Sequence, residues 1–257
     1  MMDEFCLEHP DNHFCNRRAR LVPLERDSSR YLEIRDLFER GWKHPSKHLP
    51  YLHSVFKVIA PEANVKPFLT YQSSVLTTSW WSPFVRAGTE ALLFHGTTRA
   101  CLFGETPQSV LPCKLSGCSL CAIVRDSFDV NKCGNKHKFS RFGKGIYTSS
   151  CSSKADDYVR NLSKRAKHRV LLLNRVALGR TYRLKRNAQH LTAPPSGYHS
   201  VLGEPGIDLN YEETVVYSND AIRPGYLLVY GDPPEEETEK RGLRNSLRKI
   251  FTTPILS

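Results

Sequence analysis

The sequence predicts an α+β domain in which antiparallel sheet predominates. Three observations carry this. Helical apolar spacing comes early in the chain. Strand-like segments, with a few helical inserts, dominate the rest. No G-x-G-x-x-G follows a strand and no G-x-x-x-x-G-K-[ST] is present, so neither a Rossmann fold nor a P-loop is supported. The length, 257 residues with 40% hydrophobic side chains, suits one large domain or two small ones with a real core.

The elements are read in chain order. Residues 1–28 read as an irregular arm. In "SRYLEIRDLFERGW" (29–42), Tyr31, Ile34, Leu37 and Phe38 recur at helical spacing, with Ser29 as the expected cap. "YLHSVFKVIAP" (51–61) reads as a strand stopped by Pro61. "VKPFLTYQSSVL" reads as a second helix beginning after Pro67, because proline interrupts a helix it falls inside. "TEALLFHGT" (89–97) reads as a buried strand, apolar from Ala91 to Phe94, ending in a polar turn.

Residues 99–140 form a Cys-rich insert containing one short helix, "SLCAIVRDSF". A strand over 145–150 follows, then "SSKADDYVRNL" as a helix capped by Ser152 or Ser153. "RVLLLNRVALGRTYRL" (169–184) is strand-like and interrupted at Gly179. "GYHSVLG", "EETVVYS" and "GYLLVYG" supply three more strands. The main domain therefore runs over 29–231. Residues 232–257 read as a linker and a basic amphipathic tail helix from about Leu243. No internal repeat is visible.

The formal charge is +11, and residues 125–169 alone hold twelve Lys/Arg against four Asp. Such a run is either a solvated surface or a face that attracts phosphates, and charge alone does not choose between them. No stretch approaches the roughly 20 apolar residues of a membrane helix. The start, "MMDEFCLEHP", lacks the basic and apolar regions of a secretory signal, so an intracellular protein, nuclear or cytoplasmic, is expected. H-E-x-x-H and G-x-S-x-G are absent.

In a reducing compartment the eight cysteines are not expected to form a disulfide framework. Four of them, Cys101, Cys113, Cys118 and Cys121, fall within 21 residues and include a C-x2-C element. That set suits a closed tetrahedral zinc site, which would stabilise an insert with little core of its own. Buried free cysteines are the other reading. Cys133 and His137 are spare candidates, and Cys6, His9, His13 and Cys15 have loosely ligand-like spacing.

Three segments carry a family resemblance: "LFHGTTRAC", "FGKGIYTSSCSSKADDY" and "NYEETVVYSNDAIRPGYLLVY". Taken in order, they resemble the catalytic domain of poly(ADP-ribose) polymerase-type, diphtheria-toxin-like ADP-ribosyltransferases. "GYHSVLGEPG" is similar to the tankyrase branch, and the cysteine pattern is similar to fungal single-domain members. The resemblance covers roughly residues 30–231. It implies a split, mainly antiparallel sheet with flanking helices, and transfer of ADP-ribose from NAD to an acceptor with release of nicotinamide.

The resemblance also implies roles. Glu213 would stabilise positive charge on the nicotinamide ribose and polarise the acceptor hydroxyl. Because strand neighbours face opposite sides, only one of Glu212 and Glu213 can enter the cleft, and the family register selects Glu213. His95 would bond the adenosine ribose, with Thr97 in support. The Gly96 backbone would pair with the nicotinamide carboxamide. Tyr147 and Tyr158 would hold the nicotinamide ring between them. Relatives carry a serine just after the Ser-Lys pair; here Ala155 stands there, so either one donor is missing or Ser152 or Ser153 compensates. A protein acceptor is expected first and a nucleic acid second. A binding module that holds NAD or ADP-ribosyl groups without turnover, or a nucleic-acid-associated protein, is the alternative reading.

Overall fold

The computed structural model describes residues 18–77, 90–106, 108–132 and 140–235. Cys6, His9, His13, Cys15, Cys133, His137 and the expected tail helix lie outside the described residues.

The first strand, β1 (Arg20–Pro23), falls in the segment read as irregular. It is four residues long and pairs along one edge of β2 (Tyr51–Ile59). Its single inward residue, Leu21, gives too short an alternation to be read from sequence. Helix α1 (Ser29–Gly41) is capped by Ser28 rather than Ser29. The Ser28 side chain accepts from the Tyr31 amide, so Ser29 is the first helical residue. Helix α2 (Glu62–Thr77) begins before Pro67 and contains it. Pro67 and Ala63, whose carbonyl loses a donor, are both exposed, so water can satisfy what the proline removes.

Five strands build the main sheet in the order β1-β2-β11-β7-β3, with every neighbour antiparallel. Here β3 is Glu90–His95, β7 is Arg169–Ala177 and β11 is Ile222–Gly231. Strands β7 and β11 are almost wholly buried because both faces are covered. Leu171, Leu173, Tyr226, Leu228 and Tyr230 pack under Tyr31, Ile34 and Phe38 of α1. The alternate residues Leu172, Leu227 and Val229 share the opposite core with Leu120, Cys121 and Val124 of α3 (Ser119–Asp126). Among the described residues, no helix is long and apolar enough to cross a membrane.

A second sheet has the order β5-β10-β9-β8, with β5 at Ile146–Thr148, β10 at Glu213–Val216, β9 at Ser200–Gly203 and β8 at Thr181–Leu184. Its β8–β9 pair is parallel and the others antiparallel. Gly179, at φ 52°, makes the turn that carries the chain from the first sheet into the second. Among the described residues the two sheets meet at one isolated bridge, where Phe94 and Ser149 exchange backbone hydrogen bonds of 2.8 and 3.1 Å. The sheet is thus split, as the resemblance implies, and the seam runs beside the ends of β3 and β5.

The segment expected as one helix from Ser152 is a five-residue helix, α4 (Ser152–Asp156), followed by a turn and the two-residue strand β6 (Arg160–Asn161), which pairs in parallel with β4 (Thr98–Arg99). Neither serine caps it. Cys151 holds the cap position without a side-chain capping bond, and both hydroxyls are engaged elsewhere. Ser152 donates to the Phe38 carbonyl, while Ser153 accepts from the Lys43 and His44 amides at 3.0 Å each. They fasten α4 to the end of α1.

Candidate active site

A cavity of about 730 Å³ opens at the seam. The size is typical of small-molecule sites, about 300–1,000 Å³. Strand β3 and its polar turn deliver His95, Gly96 and Thr97 to one wall. Strand β5 delivers Tyr147, α4 and the turn after it deliver Lys154, Ala155 and Tyr158, and β10 delivers Glu213. Residues 118 apart in sequence therefore share one concavity.

His95 lies at the end of β3, where its Nδ1 is 2.9 Å from the Tyr147 carbonyl. A carbonyl oxygen only accepts, so Nδ1 carries the proton and Nε2 is left as an acceptor. Burial pushes the His95 pKa down, against a smaller upward pull from that hydrogen bond, so the ring is neutral at pH 7. Gly96 is needed for packing: a Cβ there would stand 1.9 Å from the Ala155 carbonyl oxygen. Its lack of a side chain is what lets β3 close on α4.

Tyr147 is fixed at its hydroxyl by two hydrogen bonds. Its hydroxyl accepts from the Phe142 amide at 2.9 Å and donates to the Gly143 carbonyl at 2.8 Å. Burial raises its pKa to about 12, so it stays protonated. Tyr158 is the more open ring, 43% exposed, and stands on the cavity wall. Gly145 precedes the β5 strand where a Cβ would meet Val215 Cγ1 at 2.4 Å, so glycine allows β5 to lie against β10.

Glu213 is the most unusual group. Its side chain is buried on the cavity wall, and Oε1 pairs with Lys154 Nζ at 2.8 Å. Oε2 is buried and, among the described residues, makes no hydrogen bond. Arg141 Nε stands 3.9 Å from it, within ion-pair range but too far for a hydrogen bond. A buried carboxylate oxygen without a donor is costly, and such groups mark sites awaiting a partner. Burial lowers the Lys154 pKa, and Glu213 opposes that shift by charge and by hydrogen bond. Lys154 and Arg141 thus set the local field at Glu213, and neither has a role assigned from sequence. The signal for Lys154 is its position between the two tyrosines.

The neighbouring Glu212 is half-buried and is not among the lining residues, so the strand alternation places Glu213 on the cavity side. Ser153 does not reach the cavity, because the Lys43 and His44 amides occupy its hydroxyl on the far side of α4. Ala155 does line the cavity, so at this position the wall presents a methyl group. The sulfurs of Cys101, Cys113, Cys118 and Cys121 converge in one cluster behind α3, all within 4.8 Å of one another.

The family description "Poly(ADP-ribose) polymerase catalytic domain" matches residues 29–207. Protein mono-ADP-ribosyltransferase PARP3 of Gallus gallus is 45% identical over 65 residues, 25% of this chain and 12% of that protein. Poly [ADP-ribose] polymerase 1 of Gallus gallus is 47% identical over 62 residues, 24% of this chain and 6% of that protein. The matches thus span only a small part of these curated relatives.

Proposed function

The chain belongs to the poly(ADP-ribose) polymerase catalytic domain family, and from that premise we propose that it transfers ADP-ribose from NAD to an acceptor and releases nicotinamide. The observation that carries the proposal is Glu213 Oε2, a buried carboxylate oxygen on the wall of the cavity with no hydrogen bond among the described residues.

The chemistry asks for such a group. The bond that breaks joins the ribose C1″ to the positively charged nicotinamide nitrogen. The electron pair goes to that nitrogen, so nicotinamide leaves neutral and needs no acid. Positive charge moves onto the ribose, and a fixed anion beside it stabilises the transition state more than the ground state. Glu213 supplies the anion and Lys154 on Oε1 holds it in place, leaving Oε2 to accept from the ribose 2″-hydroxyl. The acceptor's oxygen or nitrogen then bonds to C1″ as its proton passes to solvent water, with Glu213 polarising that group.

His95 Nε2, an acceptor by tautomer, suits a hydroxyl of the adenosine ribose, with Thr97 beside it. The Gly96 backbone takes the carboxamide, and Tyr147 and Tyr158 flank the nicotinamide ring. Arg141, Lys132 and Arg160 put positive charge on the rim for the pyrophosphate. A protein side chain is the first acceptor class and a nucleic acid the second. Within the family, the cysteine pattern and "GYHSVLGEPG" favour a place near fungal single-domain and tankyrase-like members.

One observation favours binding without turnover: Ala155 offers a methyl group where relatives have a hydroxyl. Incubation with NAD labelled in its adenylate half separates the readings. Transfer of label to protein or nucleic acid, with stoichiometric free nicotinamide, is expected. Saturable NAD binding without nicotinamide release would leave a binding module and end the enzyme reading.

A further inference from the structure

The insert between β4 and α3 is anchored in its first half, where Phe103 is buried in the core and the Leu21 amide donates to the Val110 carbonyl at 2.9 Å. Its second half is not: Leu111 and Leu115 are exposed at 63% and 56%, so their side chains close no core before α3. Yet α3 must stay in register, because Ser119, Ala122 and Ile123 form part of the cavity wall. Four sulfurs meet where this loop joins the body. Cys101 follows β4, Cys113 comes from the loop, Cys118 is the residue before α3, and Cys121 lies in its first turn.

The distances decide between idle cysteines and a site. Cys101 Sγ lies 3.7 Å from Cys118 Sγ and 3.5 Å from Cys121 Sγ, and all four sulfurs fall within 4.8 Å of one another. A disulfide needs about 2.05 Å, and all four are free thiols. A tetrahedron with Zn–S bonds of about 2.3 Å has S···S edges of roughly 3.8 Å. The pairs at 3.5 and 3.7 Å lie just under that edge, and the other pairs fall within 4.8 Å. Three separate segments have brought four soft ligands to one point, which burial of small apolar residues does not require.

The surroundings suit thiolates. The Ala100 amide donates to Cys118 Sγ at 3.3 Å, the kind of outer hydrogen bond that orients a metal ligand. The N-terminal turn of α3 adds a favourable partial positive charge. Arg125 ties α3 back to the loop by donating to the Cys113 carbonyl at 2.7 Å.

We propose that Cys101, Cys113, Cys118 and Cys121 bind one structural zinc ion as four thiolates, and that this ion clamps α3 in place as a wall of the cavity. With all four positions filled by protein there is no open coordination site, so the ion takes no part in bond breaking.

The test uses the full chain purified under reducing conditions without added chelator. Elemental analysis should find one zinc per chain, and replacement by cobalt should give the intense visible bands of a tetrahedral tetrathiolate. Metal removal should lower the melting temperature, and zinc should restore it. Amide exchange across residues 119–126 should speed up at least about tenfold on removal, since α3 then opens locally. Cys113→Ser should lose most of the zinc. Loss of a ligand can also impair folding of that variant, so the measurements on the wild-type chain decide. Substoichiometric zinc even after refolding with zinc, a cobalt spectrum without thiolate bands, or a Cys101–Cys121 disulfide would overturn the site. Stoichiometric zinc whose removal leaves exchange over 119–126 unchanged would overturn the clamp.

Discussion

Two buried carboxylates lie on opposite sides of α4, and their partners differ. Asp156, on the side facing α1 and β11, is saturated. Its Oδ1 accepts from the Tyr230 hydroxyl and from Arg169 Nε, both at 2.6 Å, and its Oδ2 accepts from Lys47 Nζ at 2.8 Å. Glu213, on the cavity side, has one oxygen paired with Lys154 and the other without a hydrogen bond among the described residues. Burial pushes Asp156 upward in pKa, but Lys47, Tyr230 and Arg169 outweigh it and the net shift is down. A carboxylate satisfied on every side is a fastener. One held by a single oxygen keeps the other for a ligand.

The contrast makes opposite predictions for two isosteric changes. The largest effect is expected for Glu213→Gln. It should slow nicotinamide release about 100- to 1,000-fold, the usual cost of losing one preorganised charge-stabilising group. NAD affinity should stay close to that of the wild type by calorimetry. Thermal melts should show a loss smaller than that of Asp156→Asn, because this carboxylate is hydrogen-bonded by one cation rather than two. Loss of folding together with activity would erase the distinction between the two sites.

Asp156→Asn should do the reverse. Breaking a fully buried pair costs about 3–5 kcal/mol, but Lys47 and Arg169 are 25% and 43% exposed, so about 2–3 kcal/mol is expected here. Denaturant melts should show that loss, while transfer per folded molecule is retained. An unchanged melt would mean that Asp156 is not the fastener described.

Acid should reach the two sides at different pH. The folded-state pKa values of His95, His53 and His199 lie below the ordinary 6.5, with burial as the main cause in each. Below about pH 6.5 the unfolded chain therefore takes up protons that the folded chain resists, so stability is flat above that pH and falls below it. NAD binding should stay level down to pH 6.5. It should weaken only further down, once His95 Nε2 gains a proton and stops accepting. The Asp156 contribution, with its folded pKa depressed, should persist until the pH drops below about 3.8. A pH series of binding and of melts would test the order.

The smallest effect is expected at Ala155. Ala155→Ser restores a hydroxyl to the cavity wall and should tighten NAD binding by no more than about tenfold, one hydrogen bond of about 0.5–1.5 kcal/mol. Titration calorimetry would read it. Weaker binding would show that the wall is already close-packed there.

Much of this molecule is legible without coordinates. The buried strands β7 and β11, the short helix α3, and the order of the three family segments can all be read, because period and motif are local properties. Short pieces cannot: β1, β4 and β6 have too few residues to show a period, and β1 and β6 lie in segments that read otherwise. The cap of α1 sits one residue earlier than expected, since serines at 28 and 29 look alike until one accepts the Tyr31 amide. Ser153 shows the limit for site residues. Its spacing points to the ring slot, but its hydroxyl is held by amides 109 and 110 residues away.

By itself, then, the sequence determined the chemistry available: a histidine before a glycine, two tyrosines eleven apart, a glutamate on a late strand and four clustered cysteines. Only the tertiary structure decided which of these groups are satisfied and which are left open. Asp156 and Glu213 are both acidic residues, and nothing in their neighbours along the chain tells their partners apart. Their difference rests on Lys47, 109 residues before the first, and on Tyr230, 74 residues after it. Contacts over such separations leave no periodic trace in the chain, because they are set by how the two sheets meet rather than by any local preference of the residues that make them.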